Sequence, residues 1–225
     1  MPRERYQEEL ETLRTGVVEL GGTVRTQLDD ALAALETGDE TLARSVVDGD
    51  AAVNERYLEL EADCIDLFAL QQPVASDLRF VAASFKILSD LERVGDLAVN
   101  LGQYAVAGRE RPYPEVGVGR IGEHAADMVA DALTAYRTED AELCRSVAAR
   151  DDAVDALCQF AGNRVVRELI AREADGNGPW SVERVIDDVS RVLLTIRDLE
   201  RVADHAVNVA ARTLYLVDGD PELVY

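Results

Sequence analysis

Two short stretches of this 225-residue chain carry the same oxygen-bearing side chains at the same spacing. Glu92, Asp96 and Asn100 follow one another at four-residue intervals, and so do Glu200, Asp204 and Asn208. On a helix, side chains four apart are neighbours on one face, about 5–6 Å between Cβ atoms. Two carboxylates held that way can share a cation, and a donor set made only of oxygen suits hard or borderline ions such as Mg²⁺, Mn²⁺ or iron. The same pattern is also common on solvated helix faces, where an arginine neutralises it. Arg93 and Arg201, beside Glu92 and Glu200, are placed for that role.

Other chemistries lack their residues. Neither His124 nor His205 has a glutamate three positions before it, so the Glu-x-x-His pairs of ferritin-like di-iron bundles are missing. No GxxxxGK[ST] or GxGxxG loop is present to cradle a nucleotide phosphate. Two histidines and Cys64, Cys144 and Cys158 form no legible nucleophile–base pair. The cysteines contain no CxxC and read as small buried apolar residues in a reducing compartment.

The paired carboxylates belong to an internal duplication. Residues 31–54 match residues 132–155 at 12 of 24 positions, and residues 90–100 match 198–208 at 9 of 11. The two offsets, 101 and 108, differ by seven residues, which fall in the longer loop of the second copy, Ala174 to Trp180. Repeats of this kind decide architecture before any local reading does. Thr37-Gly38-Asp39 ends one helix and caps the next, Pro73 suits the first turn of a third, and Gly108 to Pro114 separates the copies. Thr138-Glu139-Asp140 and Gly176-Asn177-Gly178-Pro179 take these roles in the second copy. Val189, Val192, Leu193, Ile196, Leu199, Ala203, Ala206 and Ala210 trace one stripe of helical period. The expectation is an all-α protein of six long helices in two tandem three-helix bundles, residues 1–111 and 112–225, related by an internal pseudo-twofold. Gly95 and Ala203 let helices approach closely.

Antiparallel packing supplies further ligands. With a turn near Gln72, Glu92 faces the region of Asp50 and Asn54, and Asp30 on the first helix comes near the same level. The second copy offers Glu200, Asp204, Asn208, Asp151, Asp155 and Asp131. The expected metal ligands are therefore Asp30, Asp50, Glu92, Asp96 and Asn100 in one copy and these six residues in the other.

Charge narrows the partners. Acids number 44 and bases 23, a net −21, which excludes direct nucleic-acid binding and disfavours an anionic membrane surface except through partners. Lys86 is the one lysine, and such an acid-rich, lysine-poor surface resembles proteins of salt-loving cells. No secretory leader or membrane span is legible, so a cytoplasmic location is expected.

Asp48-Gly-Asp-x-x-Val-Asn54, Gln72-Pro-Val-Ala-Ser-Asp-Leu-Arg79, Leu91-Glu-Arg-Val-Gly-Asp96 and Leu199-Glu-Arg-Val-Ala-Asp-His205 together resemble the signatures of the PhoU family, across residues 4–216. The resemblance implies a non-enzymatic negative regulator of phosphate uptake and phosphate-starvation signalling. It implies contacts with the ATPase subunit of the phosphate ABC transporter and with a sensor kinase where the host has one; a homodimer is a separate expectation. The resemblance also implies metal, divalent or multinuclear (iron, Mg, Mn or Zn), at motifs that match Glu92/Asp96 and Glu200/Asp204. Two alternatives stay open: a metal-free helical interaction module, and a metal-dependent phosphohydrolase.

Overall fold

A computed structural model describes residues 2–70, 75–108, 117–174, 179–219 and 221–223. Pro73, most of the segment that separates the copies and residues 175–178 of the second-copy loop lie outside the described residues. The chain forms α1 (Pro2–Thr37), α2 (Glu40–Leu70), α3 (Ala75–Ala107), α4 (Val118–Thr138), α5 (Ala141–Ala148), α6 (Asp151–Ala174) and α7 (Pro179–Asp218). Among the described residues there is no strand, and no helix is long and apolar enough to cross a membrane.

The turns form where the sequence places them. Gly38 takes the left-handed conformation, φ 74°, and its N–H reaches the Ala34 carbonyl at 2.8 Å, closing α1. Asp39 caps α2, its carboxylate accepting from Thr41 N at 2.9 Å and Leu42 N at 3.1 Å. In the second copy Glu139 stands where the glycine was and adopts φ 54°, while Asp140 accepts from Leu143 N at 3.0 Å.

The fifth expected helix is broken. Where α2 runs on through Asp48 and Gly49, the second copy tightens at Ala149-Arg150: Arg150 N bonds the Val147 carbonyl and Ala153 N the Arg150 carbonyl, both spanning three residues at 3.1 Å. The break separates Cys144 from Cys158 onto α5 and α6, and makes Asp151 the first residue of a helix. All three cysteines are buried and free, as the sequence suggested.

α1, α2 and α3 pack on one another, and α7 gathers α4, α5 and α6. The halves join along α3 against α7 and α1 against α4. Both seams show matched contacts. A Cβ on Gly21 would collide with Leu133, and a Cβ on Gly122 with Leu32; each pair is the 101-residue image of the other. Tyr136 ties the halves further: its hydroxyl meets the Ser84 hydroxyl at 2.7 Å in the core, and the Arg14 guanidinium lies 5.7 Å from its ring centre.

α7 buries two faces. Val189, Ile196, Leu199, Ala203, Ala206 and Ala210 form the expected stripe, from which Leu193 departs by lying at an exposed edge. Thr195, Asp198, Val202, Val209 and Thr213 form a second buried face, toward α3 and the other half.

Candidate functional site

In the first half, α2 supplies Asp50 and α3 supplies Glu92 and Asp96. The Asn54 amide donates to Asp50 Oδ2 at 2.9 Å, while Asp50 Oδ1 is buried with no hydrogen-bond partner. Burial, then the Asp96 charge, pushes the Asp50 carboxyl above its usual range. Burial and Asp96 raise Glu92 too, with Asp50 adding to the effect and Arg93 opposing it. Arg93 lies 3.6 Å from Glu92 and 3.2 Å from Asp96.

The second half repeats the cluster with more charge. Asp151 and Asp155 come from α6, Glu200 and Asp204 from α7. Asp151 Oδ1 is another buried oxygen without a partner, at the position equivalent to Asp50 Oδ1. Burial and then the charges of Asp155, Asp204, Asp152 and Glu200 push the Asp151 carboxyl up to about 6. Glu200 and Asp204 are also raised, by burial first and by Asp155 next. An open groove of ≈ 660 Å³ runs along this cluster, lined by Asp152, Asp155, Ala156, Cys158, Gln159 and Glu200.

Other expected ligands are engaged elsewhere. Asn100 donates across the α3–α7 seam to Asp198 Oδ2 at 3.4 Å, and Asn208 donates to Asp90 Oδ1 at 3.2 Å. The amide at the third position of each spaced triplet thus leans to the helix of the other half. Asp131 is bound by Arg150 at 2.6 Å, and Asp30, half-buried on α1, is not among the charges felt by Asp50 or Glu92. The α1 group that does reach this depth is Gln27. Its Nε2 donates to the Val46 carbonyl at 3.0 Å, its Oε1 is buried without a partner, and a Cβ on Gly95 would lie 3.6 Å from that oxygen. Sequence reasoning missed Gln27, though it is a polar residue inside the apolar series Val17, Leu20, Val24, Leu28 and Ala31. It also missed Asp90 and Asp198, whose identity in both copies was the available signal.

Among the described residues, no three Asp, Glu, His or Cys side chains close on a point as ligands of one ion would. The donors are nonetheless those a hard cation takes. They are all oxygen, they raise one another's proton affinity, and each cluster holds one buried carboxylate oxygen with nothing to bind.

The PhoU domain model matches this chain twice, over residues 17–105 and 118–213. The chain belongs to the PhoU family. It is 35% identical over 219 residues to a phosphate-specific transport system accessory protein PhoU homolog of Pseudomonas putida, covering 96% of this chain and 82% of that one. To the phosphate-specific transport system accessory protein PhoU of Escherichia coli it is 31% identical over 216 residues, covering 95% and 86%. Its fold is similar to the crystal structure of PhoU from Pseudomonas aeruginosa, with TM-score 0.85, 35% identity and coverage of 96% of this chain and 100% of that one. It is similar also to the phosphate transport system regulatory protein PhoU from Streptococcus pneumoniae, with TM-score 0.83, 29% identity and coverage of 96% and 98%.

Proposed function

We propose that this chain is a regulatory adaptor of phosphate uptake, acting by contact with the ATPase subunit of a phosphate transporter and damping uptake when phosphate is plentiful. The observation that carries the reading is kinship along almost the whole chain, through both repeats, to proteins named as accessory to phosphate-specific transport. Those relatives are named for an accessory role and not for a reaction, which supports an adaptor without catalysis.

The carboxylate clusters fit the role mechanically. A cation held there would offset their repulsion and pin α2 to α3, or α6 to α7. A bundle stiffened in this way presents a fixed surface to its partner. A sensor kinase and a second copy of the chain are further partners of the same reading.

Affinity capture from cells grown with and without phosphate tests it. Recovery of the transporter ATPase from phosphate-replete cells, and its loss on starvation, is expected; equal recovery in both, or none, overturns the proposal. One competing reading has observations in its favour. Arg93 already partners Glu92 and Asp96, and among the described residues no three side chains converge as ligands, as in a metal-free module. Elemental analysis after exhaustive dialysis separates the two.

A further inference from the structure

We propose that the outward face of α2 is a docking surface for a basic amphipathic helix of another protein. The inference does not depend on the metal or the transporter part of the preceding reading.

α2 needs one apolar face for its own bundle and turns Val53, Leu60, Cys64 and Leu67 to the core. The opposite face of such a helix is ordinarily polar. Here it carries a second apolar stripe. Ala51, Glu55, Leu58, Ala62, Ile65 and Ala69 follow one another at alternating intervals of four and three residues, and all six are exposed. Leu58 is 59% exposed and Ile65 53%. At about 100° per residue the six lie within roughly 80° of one another, opposite Leu60 and Leu67. Apolar residues scattered singly over a surface are ordinary, whereas this spacing is that of a coiled-coil seam. Leu58 and Ile65 supply bulk, and the alanines let a second helix approach closely. From Ala51 to Ala69 the stripe runs about 27 Å, at 1.5 Å per residue.

Charge decides what that second helix is. The positions flanking such a seam set partner choice. They hold Glu59 and Asp66 on one side and Glu61 on the other, and Glu55 stands within the stripe. Between residues 51 and 70 the one base is Arg56, which is engaged by Glu59 at 2.9 Å. Glu61 takes the Tyr57 hydroxyl, a neutral donor, at 2.9 Å. Neither Glu55 nor Asp66 has a basic partner among the described residues. Two copies of α2 laid together would set acid against acid, which penalises self-pairing. A helix whose apolar stripe is flanked by lysine or arginine meets the same face with opposite charge, and a base opposite Glu55 fixes its register.

The second repeat shows that the stripe is no by-product of the duplicated fold. At the 101-residue offset the six positions on α6 hold Asp152, Ala156, Gln159, Asn163, Val166 and Ile170. Two amides interrupt the centre, Phe160 replaces Glu59 and Arg167 replaces Asp66. The docking face belongs to the first half alone.

Fluorescence anisotropy with the full-length protein and labelled synthetic helices tests the assignment. One peptide carries leucine at both stripe positions and lysine or arginine at the flanks. A second has the same composition with its leucines scattered around the helix, and a third has glutamate at the flanks. The first is expected to bind, and the other two at least ~10-fold more weakly. Leu58→Ser with Ile65→Ser should weaken the first peptide by at least ~10-fold, since each aliphatic side chain withdrawn from water is worth roughly that factor. Glu61→Gln with Asp66→Asn, which leaves the stripe intact, should weaken it as well. Val166→Ser with Ile170→Ser on α6 should leave it unchanged. Circular dichroism checks that the variants keep their helices. Equal binding of the first two peptides, no binding, or indifference to the α2 variants overturns the proposal. A dimer of this chain in sedimentation velocity that Leu58→Ser with Ile65→Ser dissociates would give the face to a second copy, and overturns it too.

Discussion

In cation-free protein, Asp151→Asn is expected to raise stability near neutral pH, although the position is half-buried. The Asp151 carboxyl titrates at about 6 against 3.8 for an ordinary aspartate, chiefly from burial and then from Asp155 and Asp204. That gap corresponds to roughly 3 kcal/mol of penalty on the charged form, at about 1.36 kcal/mol per pH unit. Two effects reduce it. The cluster is open to water, and screening brings the penalty down to about 1–2 kcal/mol. Asp151 also opens α6, where a negative charge gains ~0.3–1 kcal/mol from the helix dipole that asparagine forfeits. The net gain is about 0–1.7 kcal/mol, or up to roughly 7 °C in Tm for a chain of this size.

The sign with pH follows from the folded state holding its proton more tightly. Below the unfolded value of 3.8 both states are protonated and the penalty is absent; it grows as pH rises from 3.8 to about 6 and is complete above that. Thermal unfolding in EDTA at constant ionic strength, across about pH 4 to pH 8, measures the difference between variant and wild type. It should be near zero at the acid end and largest above pH 6. A variant less stable than wild type at pH 7, or a difference independent of pH, would refute the electrostatic account of this cluster.

Three further outcomes test the scaffold. Tyr104→Phe removes the hydroxyl donor of the fully buried Asp198 and should cost about 1–3 kcal/mol in urea unfolding. Gly21→Ala places a methyl against Leu133 where α1 crosses α4, and a loss of ~1–3 kcal/mol from overpacking is expected by calorimetry. Gly95→Ala should go the other way. The added Cβ meets Val53 at 3.4 Å and Gln27 at 3.6 Å, ordinary contacts, so the helix gains up to ~1 kcal/mol of backbone propensity, readable as a higher denaturation midpoint.

Architecture is legible in the sequence because it follows from short-range regularities. The helical class came from composition and period, the duplication from identity at fixed offsets, and the turn at Thr37-Gly38-Asp39 from a left-handed glycine followed by a capping aspartate. That Asp50 lies at the level of Glu92 and Asp96, and Asp151 and Asp155 at that of Glu200 and Asp204, near enough to feel one another's charge, agrees with counting residues on either side of a hairpin turn; how the side chains are aimed was not legible. The break between α5 and α6 was not legible, since alanine and arginine are good helix formers and only a backbone tightening interrupts them.

The sequence by itself determined which residues could share a level of each bundle. Spacing along a helix and distance from a turn set height and approximate face, and both are local quantities. Tertiary structure alone decided which way the residues at the edge of a stripe lean. Asn100 and Asn208 sit between the carboxylate cluster and the α3–α7 seam, and they turn to the seam because Asp198 and Asp90, roughly 100 residues away in the chain, need donors there. The same seam draws Arg201 from the second cluster and leaves Arg93 with the first, so two nearly identical motifs acquire different charge environments. Compensation of a buried charge depends on every element packed around it, and no local pattern encodes that set of neighbours.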